Sequence, residues 1–137
     1  MLKEENIALA NYRIEKAKNC LKASKILLGE ECYSDSANRS YYAIFHSINA
    51  INALNSVGFK KHSGVISNFN QNYIKTRIIE KEYGKIANNA FDVRKDNDYS
   101  DFYVAPKREV SEQYENAVKF VNRIEKYIMD EIKKDSE

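Results

Sequence analysis

The stretch RSYYAIFHSINA, residues 39–50, decides how this chain folds. Tyr41, Ile44 and Ile48, with Ala37 before them and Ile51 after, recur at helical spacing and mark a buried stripe. Arg39, Tyr42, His46 and Asn49 form a second line about half a turn away, so both faces of the helix are occupied. Two interpretations stay open. Tyr42 and His46, at i and i+4, suit a simple stacked or hydrogen-bonded pair inside a bundle, and they equally suit one wall of a site. Ala43, Ala50 and Ala53 are small enough for another helix to approach closely, which points to a partner chain on that second face.

Working outward, Ile7, Ala10, Ile14, Ala17, Leu21, Ser24 and Leu28 step by three and four and predict one long amphipathic helix over about 4–30. Tyr33-Ser34-Asp35 breaks that pattern and offers Ser34 or Asp35 as the N-cap of the next helix, which Gly58 stops, so the two helices are antiparallel neighbours. A shorter helix is expected from Ser63 to about Lys75, carrying Val65, Ile66, Phe69 and Tyr73. Another is expected from about Lys81 to Asp98, carrying Tyr83, Ala87 and Ala90. Pro106 suits the first turn of a last helix, whose stripe is Val110, Tyr114, Ala117, Val121, Ile124, Ile128 and Ile132. The expected architecture is all-α, an up-and-down bundle of four to five helices forming a single domain over residues 1–137.

Composition narrows the function classes. Of 137 residues 43% are hydrophobic, enough for one core, while Gly 4 and Pro 1 leave too few turn-formers for a many-stranded β fold. The net charge of +2 comes from 22 basic and 20 acidic side chains dispersed along the chain, which argues against a protein that coats duplex DNA. Cys20 and Cys32 have no second pair and read as reduced thiols. The N-terminal MLKEENIALANYRIEK is charged throughout, unlike a signal peptide, and no stretch approaches the roughly 18 apolar residues of a membrane span. A cytoplasmic protein with no membrane association is expected. His46 and His62 lack ligand spacing, so neither a metal nor another cofactor is expected.

The stripe Tyr83, Ala87, Ala90 is interrupted at its next step of four, where Arg94 and then Asp98 follow. An arginine on an inner face needs a partner, because an isolated charge in low dielectric is costly. Asp98 at i+4 offers one in cis; alternatively the planar fork of donors is held for a phosphate. On a continuous helix Tyr99 lies about 140° around from Arg94, so the two share a site only where the helix distorts or ends.

Taken together, NRSYYAIFHSINAINALNSVGFKKHSGVISNF (38–69) and RKDNDYSDF (from Arg94) resemble the HEPN family of small prokaryotic helical proteins. The residues that carry the resemblance are Asn38, Arg39, Tyr41, Tyr42, Ala43, Phe45, His46, Gly58, Lys60, His62, Arg94, Asp98 and Tyr99. The resemblance implies a homodimer in which the late arginine of each subunit meets its twin across a cleft. It implies as partners a minimal nucleotidyltransferase antitoxin and RNA or a nucleotide. It also implies, for many members, metal-independent ribonuclease chemistry. That chemistry needs an arginine to stabilise the phosphorane and a histidine to move protons, the histidine following the arginine by a few residues. Here Lys95-Asp96-Asn97-Asp98-Tyr99 follows Arg94 and no later histidine exists. The candidate catalytic residues are therefore Arg94, Tyr99 and His46, with Arg39, Tyr42, Lys95, Asp98 and His62 as substrate-binding candidates. Three functions follow: an RNA- or nucleotide-binding toxin-like partner of the nucleotidyltransferase, an active ribonuclease assisted by Tyr99, His46 or His62, or a non-catalytic module modified at Tyr99 or Tyr103.

Overall fold

The computed structural model describes residues 1–58, 61–99 and 105–137, with the side chains of 97–99 excepted. Among these residues there are five α-helices: α1 (Glu4–Gly29), α2 (Tyr33–Leu54), α3 (His62–Phe69), α4 (Lys81–Tyr99) and α5 (Lys107–Ser136). A π-helical turn, Asn70–Ile74, extends α3. The all-α bundle expected from the periodicity is the fold observed.

Helix α2 is the centre. Ala37, Tyr41, Ile44, Ile48 and Ile51 are all buried, as the stripe requires. Helix α1 runs antiparallel along it: the Asn6 amide donates to the Ser56 hydroxyl at one end, the Arg13 guanidinium to the Asn49 carbonyl, and Ser24 meets Ser36 and Ser40 at the other end. Helix α5 runs parallel to α2, since Gln113 donates to the Ala37 carbonyl and Val121 packs with Ala43. Helix α4 runs opposite to α2, with Phe91 near Tyr41 and Val93 clustered with Ala37.

The small residues of α2 have a different partner from the one expected. Ala43 is fully buried against Ala17 and Cys20 of α1 and Val121 of α5, and Ala50 and Ala53 are buried in the main core. The alanine face is thus consumed within the chain, and it offers no seat for a second one. The close approach is sealed by hydroxyls: Ser24 Oγ lies 3.0 Å from Ser36 Oγ and 2.7 Å from Ser40 Oγ, and Ser36 Oγ donates to the Ser24 carbonyl at 2.8 Å. All three serines are fully buried, so these bonds satisfy groups that would otherwise cost ~1–3 kcal/mol each.

Both ends of α2 close without the expected caps. α2 begins at Tyr33 with Cys32 in the cap position, so neither Ser34 nor Asp35 caps it. It ends at Leu54, four residues before Gly58. The stop is made instead by Ser56, at φ 58, with Ser56 N–H bonded to Ala53 and Val57 N–H to Asn52. The same 5→2 and 6→1 pattern ends α1, where Glu31 at φ 63 bonds Leu28 and Cys32 bonds Leu27. Two ordinary residues thus hold the left-handed position that glycine usually takes.

The third helix is shorter than the expected Ser63–Lys75, because the π turn takes over after Phe69. There α4 comes close: a Cβ on Gly84 would lie 3.1 Å from Asn70 Oδ1 and Ile74 Cγ2. On α5 the Tyr114 position is only half-buried and Gln113 is buried in its place, while Phe120, outside the expected stripe, is fully buried against Phe69 and Tyr83. Among the described residues no helix is long and apolar enough to cross a membrane.

Candidate functional site

The site assembles around two neighbouring rings of α2. Tyr41 points into the core and is fully buried, Tyr42 lies on the half-buried flank, and their rings meet edge to face at 5.2 Å. A buried tyrosine needs a partner for its hydroxyl. That partner is His62: the Tyr41 hydroxyl and His62 Nδ1 lie 2.7 Å apart and share a hydrogen bond. His62 opens α3, which places it over α2, where its ring stacks on Phe45 at 4.1 Å and meets Tyr42 edge-on at 5.9 Å.

Arg94 reaches the same ring from α4. It is half-buried, and its Cζ lies 5.6 Å from the Tyr41 ring centroid. The tyrosine π face attracts the guanidinium, an interaction worth about 0.5–2 kcal/mol depending on desolvation. Arg39 makes the matching contact on the outer ring, with Cζ 5.3 Å from the centroid of Tyr42. Lys95 is tied in more loosely: its Nζ sits 5.5 Å over Phe91, whose ring lies 6.3 Å from Tyr41. Two arginines and a histidine therefore converge on one aromatic pair, with a lysine beyond. A guanidinium is a planar fork of donors that matches the geometry of a phosphate.

His46 has a different environment. Its ring is half-buried against Tyr42 and Phe45, at 6.0 Å from each. Burial first, then the positive charges of Lys16, Arg39, Arg13 and His62, push its pKa down to about 4. It is neutral at pH 7 and far from the window in which a general base works best. Its contacts with Tyr42 fit the packed i,i+4 pair that the sequence left open.

Of the residues singled out by sequence, Arg94, Arg39, Tyr42 and His62 come together and Lys95 stands beside them. The side chains of Asp98 and Tyr99 and all of Tyr103 lie outside the described residues. Helix α4 continues to Tyr99, so on helical geometry that position is about 140° around from Arg94. Sequence reasoning gave Tyr41 and Phe45 a place in the family resemblance, and Tyr41 one in the core stripe, but it named neither of them, nor Phe91, as a site residue. The available signal was the hydroxyl of Tyr41, a polar tip at a core position that had to be bonded to something.

Chemically, the Tyr41–His62 bond orients the imidazole. A phenol both donates and accepts, so the pair can hold either tautomer: with the hydroxyl donating, the His62 proton sits on Nε2; with Nδ1–H donating, Nε2 is basic. A histidine fixed by a third group and set on the same ring as an arginine is a combination suited to phosphate esters.

Comparison with known proteins gives the family. The chain is 35% identical over 126 residues to the UPF0332 protein of Thermotoga maritima, covering 92% of this chain and 96% of that protein. It is 38% identical over 113 residues to one Methanocaldococcus jannaschii protein (82% and 84% covered) and 32% over 116 residues to another (85% and 79%). Both of these carry the name "Putative toxin". The model of the HEPN domain matches residues 10–132, a span that contains every residue of the Tyr41 cluster, and the chain belongs to the HEPN domain family.

Proposed function

We propose that the protein is a toxin-like RNA-binding member of this family, acting as a homodimer and held in check by a minimal nucleotidyltransferase antitoxin. The observation that carries the RNA-binding assignment is the convergence of Arg94, Arg39 and His62 on Tyr41 and Tyr42. Cations gathered beside the half-buried Tyr42 suit a single strand, whose phosphates need charge and whose bases need π surfaces. The names of the two Methanocaldococcus jannaschii relatives support the toxin class. The test is fluorescence anisotropy with a labelled single-stranded RNA. Binding is expected to weaken as salt rises and to be lost in Arg94→Ala with the fold intact. Absence of salt-dependent binding, or an Arg94→Ala protein that binds as well as the parent, contradicts the assignment. Light scattering tests the dimer: a monomeric mass at micromolar concentration contradicts it.

A second reading, metal-independent ribonuclease, is favoured by one contact. No histidine follows Arg94, yet the fold brings His62 onto the ring that Arg94 covers. In this reaction the substrate's 2′-oxygen bonds to phosphorus as the P–O5′ bond breaks. His62 takes the 2′-hydroxyl proton and releases it to water, the leaving O5′ takes a proton from water, and Arg94 stabilises the phosphorane oxygens. RNA incubated in chelator should yield ends with 2′,3′-cyclic phosphate, and Arg94→Ala or His62→Ala should abolish them. Intact RNA after long incubation with folded protein rules the reaction out.

A further inference from the structure

A groove of about 1100 Å³ lies between α3 with its π turn on one side and α4 on the other. One end is formed by Phe91 and Ser63, and these are direct neighbours of the cluster: Phe91 lies 6.3 Å from Tyr41, and Ser63 follows His62 in the chain. From there the groove runs along α4 to Lys81, ten residues or about 15 Å of helix. Its floor is apolar, with Ile66, Ile74 and Ile79, and at Gly84, where a side chain would meet Ile74 at 3.1 Å, α4 packs directly on the π turn.

The rim is basic. Lys75, Arg77, Lys81 and Lys85 line it, and none of them is ion-paired among the described residues. Among the described residues the one carboxylate on the groove, Glu80, is already engaged by Arg123 of α5 at 3.0 Å. Lys81, Lys85, Asn88 and Phe91 step by four, three and three along α4, so positive charge and an aromatic ring share one face, and Lys95 continues it one turn on. An uncompensated basic rim over an apolar floor complements a chain that alternates negative phosphates with flat apolar bases. A volume of this size is at the upper end of what a small ligand fills, and the Asn70 amide, donating to Asn88 Oδ1 at 2.9 Å, bridges the two walls midway, so a strand lies over that bridge along the basic rim.

We infer that this α3–α4 groove carries the single-stranded RNA onward from the Arg94–His62 centre, with Lys81 and Lys85 on its phosphates and a base against Phe91. The assignment rests on the RNA-binding function proposed above. The experiment compares a uridine dinucleotide, which reaches only the centre, with a longer oligouridylate that extends along the groove. Three proteins are used: the parent, Arg94→Ala, and the double variant Lys81→Gln/Lys85→Gln, whose exposed lysines do not support the core.

The expected result is that the double variant binds the dinucleotide like the parent but loses most of the gain from lengthening. Its slope of log affinity against log salt for the oligonucleotide should fall by about 1.4, two contacts at roughly 0.7 each. An unchanged slope, with Arg94→Ala still abolishing binding, overturns the groove assignment and leaves the centre standing. Failure of every RNA to bind the parent removes the centre as well. Displacement of RNA by polyglutamate with no effect of the lysines, or a lysine-dependent change of mass in light scattering with no change in RNA affinity, gives the groove to an acidic peptide or to a second copy of the chain and also overturns the assignment.

Discussion

Acidification reads the environment of His46 directly. In the unfolded chain the ring binds its proton near 6.5, and in the folded chain only near 4, because it is half-buried and faced by Lys16, Arg39, Arg13 and His62. Between those values the unfolded state holds more protons, so stability falls as pH falls. The contribution is complete above 6.5 and is lost as pH drops toward 4. A fall from 6.5 to about 4, at about 1.36 kcal/mol per unit, sets an upper bound of about 3.4 kcal/mol. The ring is half in contact with water, which screens the neighbouring charges and brings the expected figure to about 1.5 kcal/mol. Urea unfolding of the parent and of His46→Gln, each near pH 7 and near pH 4, isolates this value, since carboxylates titrating in the same range are common to both proteins and cancel. The parent should lose about 1.5 kcal/mol more than the variant on acidification. Equal losses would show that His46 titrates normally and that its placement among cations and aromatic rings is wrong.

Other perturbations have equally definite outcomes. Tyr41→Phe keeps the ring under Arg94 but removes the bond to His62, which should cost about 1 kcal/mol and lower the thermal midpoint by roughly 3–4 °C in calorimetry. Phe120→Ala empties a fully buried site between Phe69 and Tyr83 and should cost about 3–5 kcal/mol in urea. Glu31→Gly and Ser56→Gly each relieve a left-handed residue at a helix end; against a strain of about 1–2 kcal/mol stands the extra entropy glycine loses, leaving a net gain of about 0.5 kcal/mol. Arg94→Lys should fail to restore the RNA binding lost in Arg94→Ala, because an ammonium lacks the planar fork; full restoration in the anisotropy assay would mean that charge alone matters.

The long helices were legible because they bury one continuous face. The α2 stripe Ala37, Tyr41, Ile44, Ile48, Ile51 is buried residue for residue, and α5 departs from expectation mainly where Gln113 replaces Tyr114. Helix ends were less legible. Gly58 looked like the stop of α2, but the left-handed turn falls on Ser56, where the chain must leave to satisfy the Asn52 and Ala53 carbonyls. The π turn has no periodic signature at all, since it depends on how α4 meets Asn70 and Ile74.

The alanine face of α2 shows a different limit. Small residues announce close packing without saying which helix arrives, and here α1 and α5 arrive from the same chain. The site was half legible. Arg94 stood out as a charge at the end of an apolar stripe, whereas His62, among Lys60, Lys61 and Ser63, was singled out by the family resemblance alone until the fold carried it onto Tyr41. Only a contact between residues twenty-one apart could reveal that, and no local spacing encodes it.

The union of Arg94, Tyr41 and His62 in one phosphate-handling centre is tested most directly by NMR of the His62 imidazole during titration with uridine monophosphate. The ring signals should shift on addition of the nucleotide in the parent, and the shift should vanish in Arg94→Ala while the dispersed spectrum of the folded bundle persists. Signals of His62 that stay fixed in the parent at saturating nucleotide, or that move identically without the Arg94 guanidinium, would contradict a shared centre.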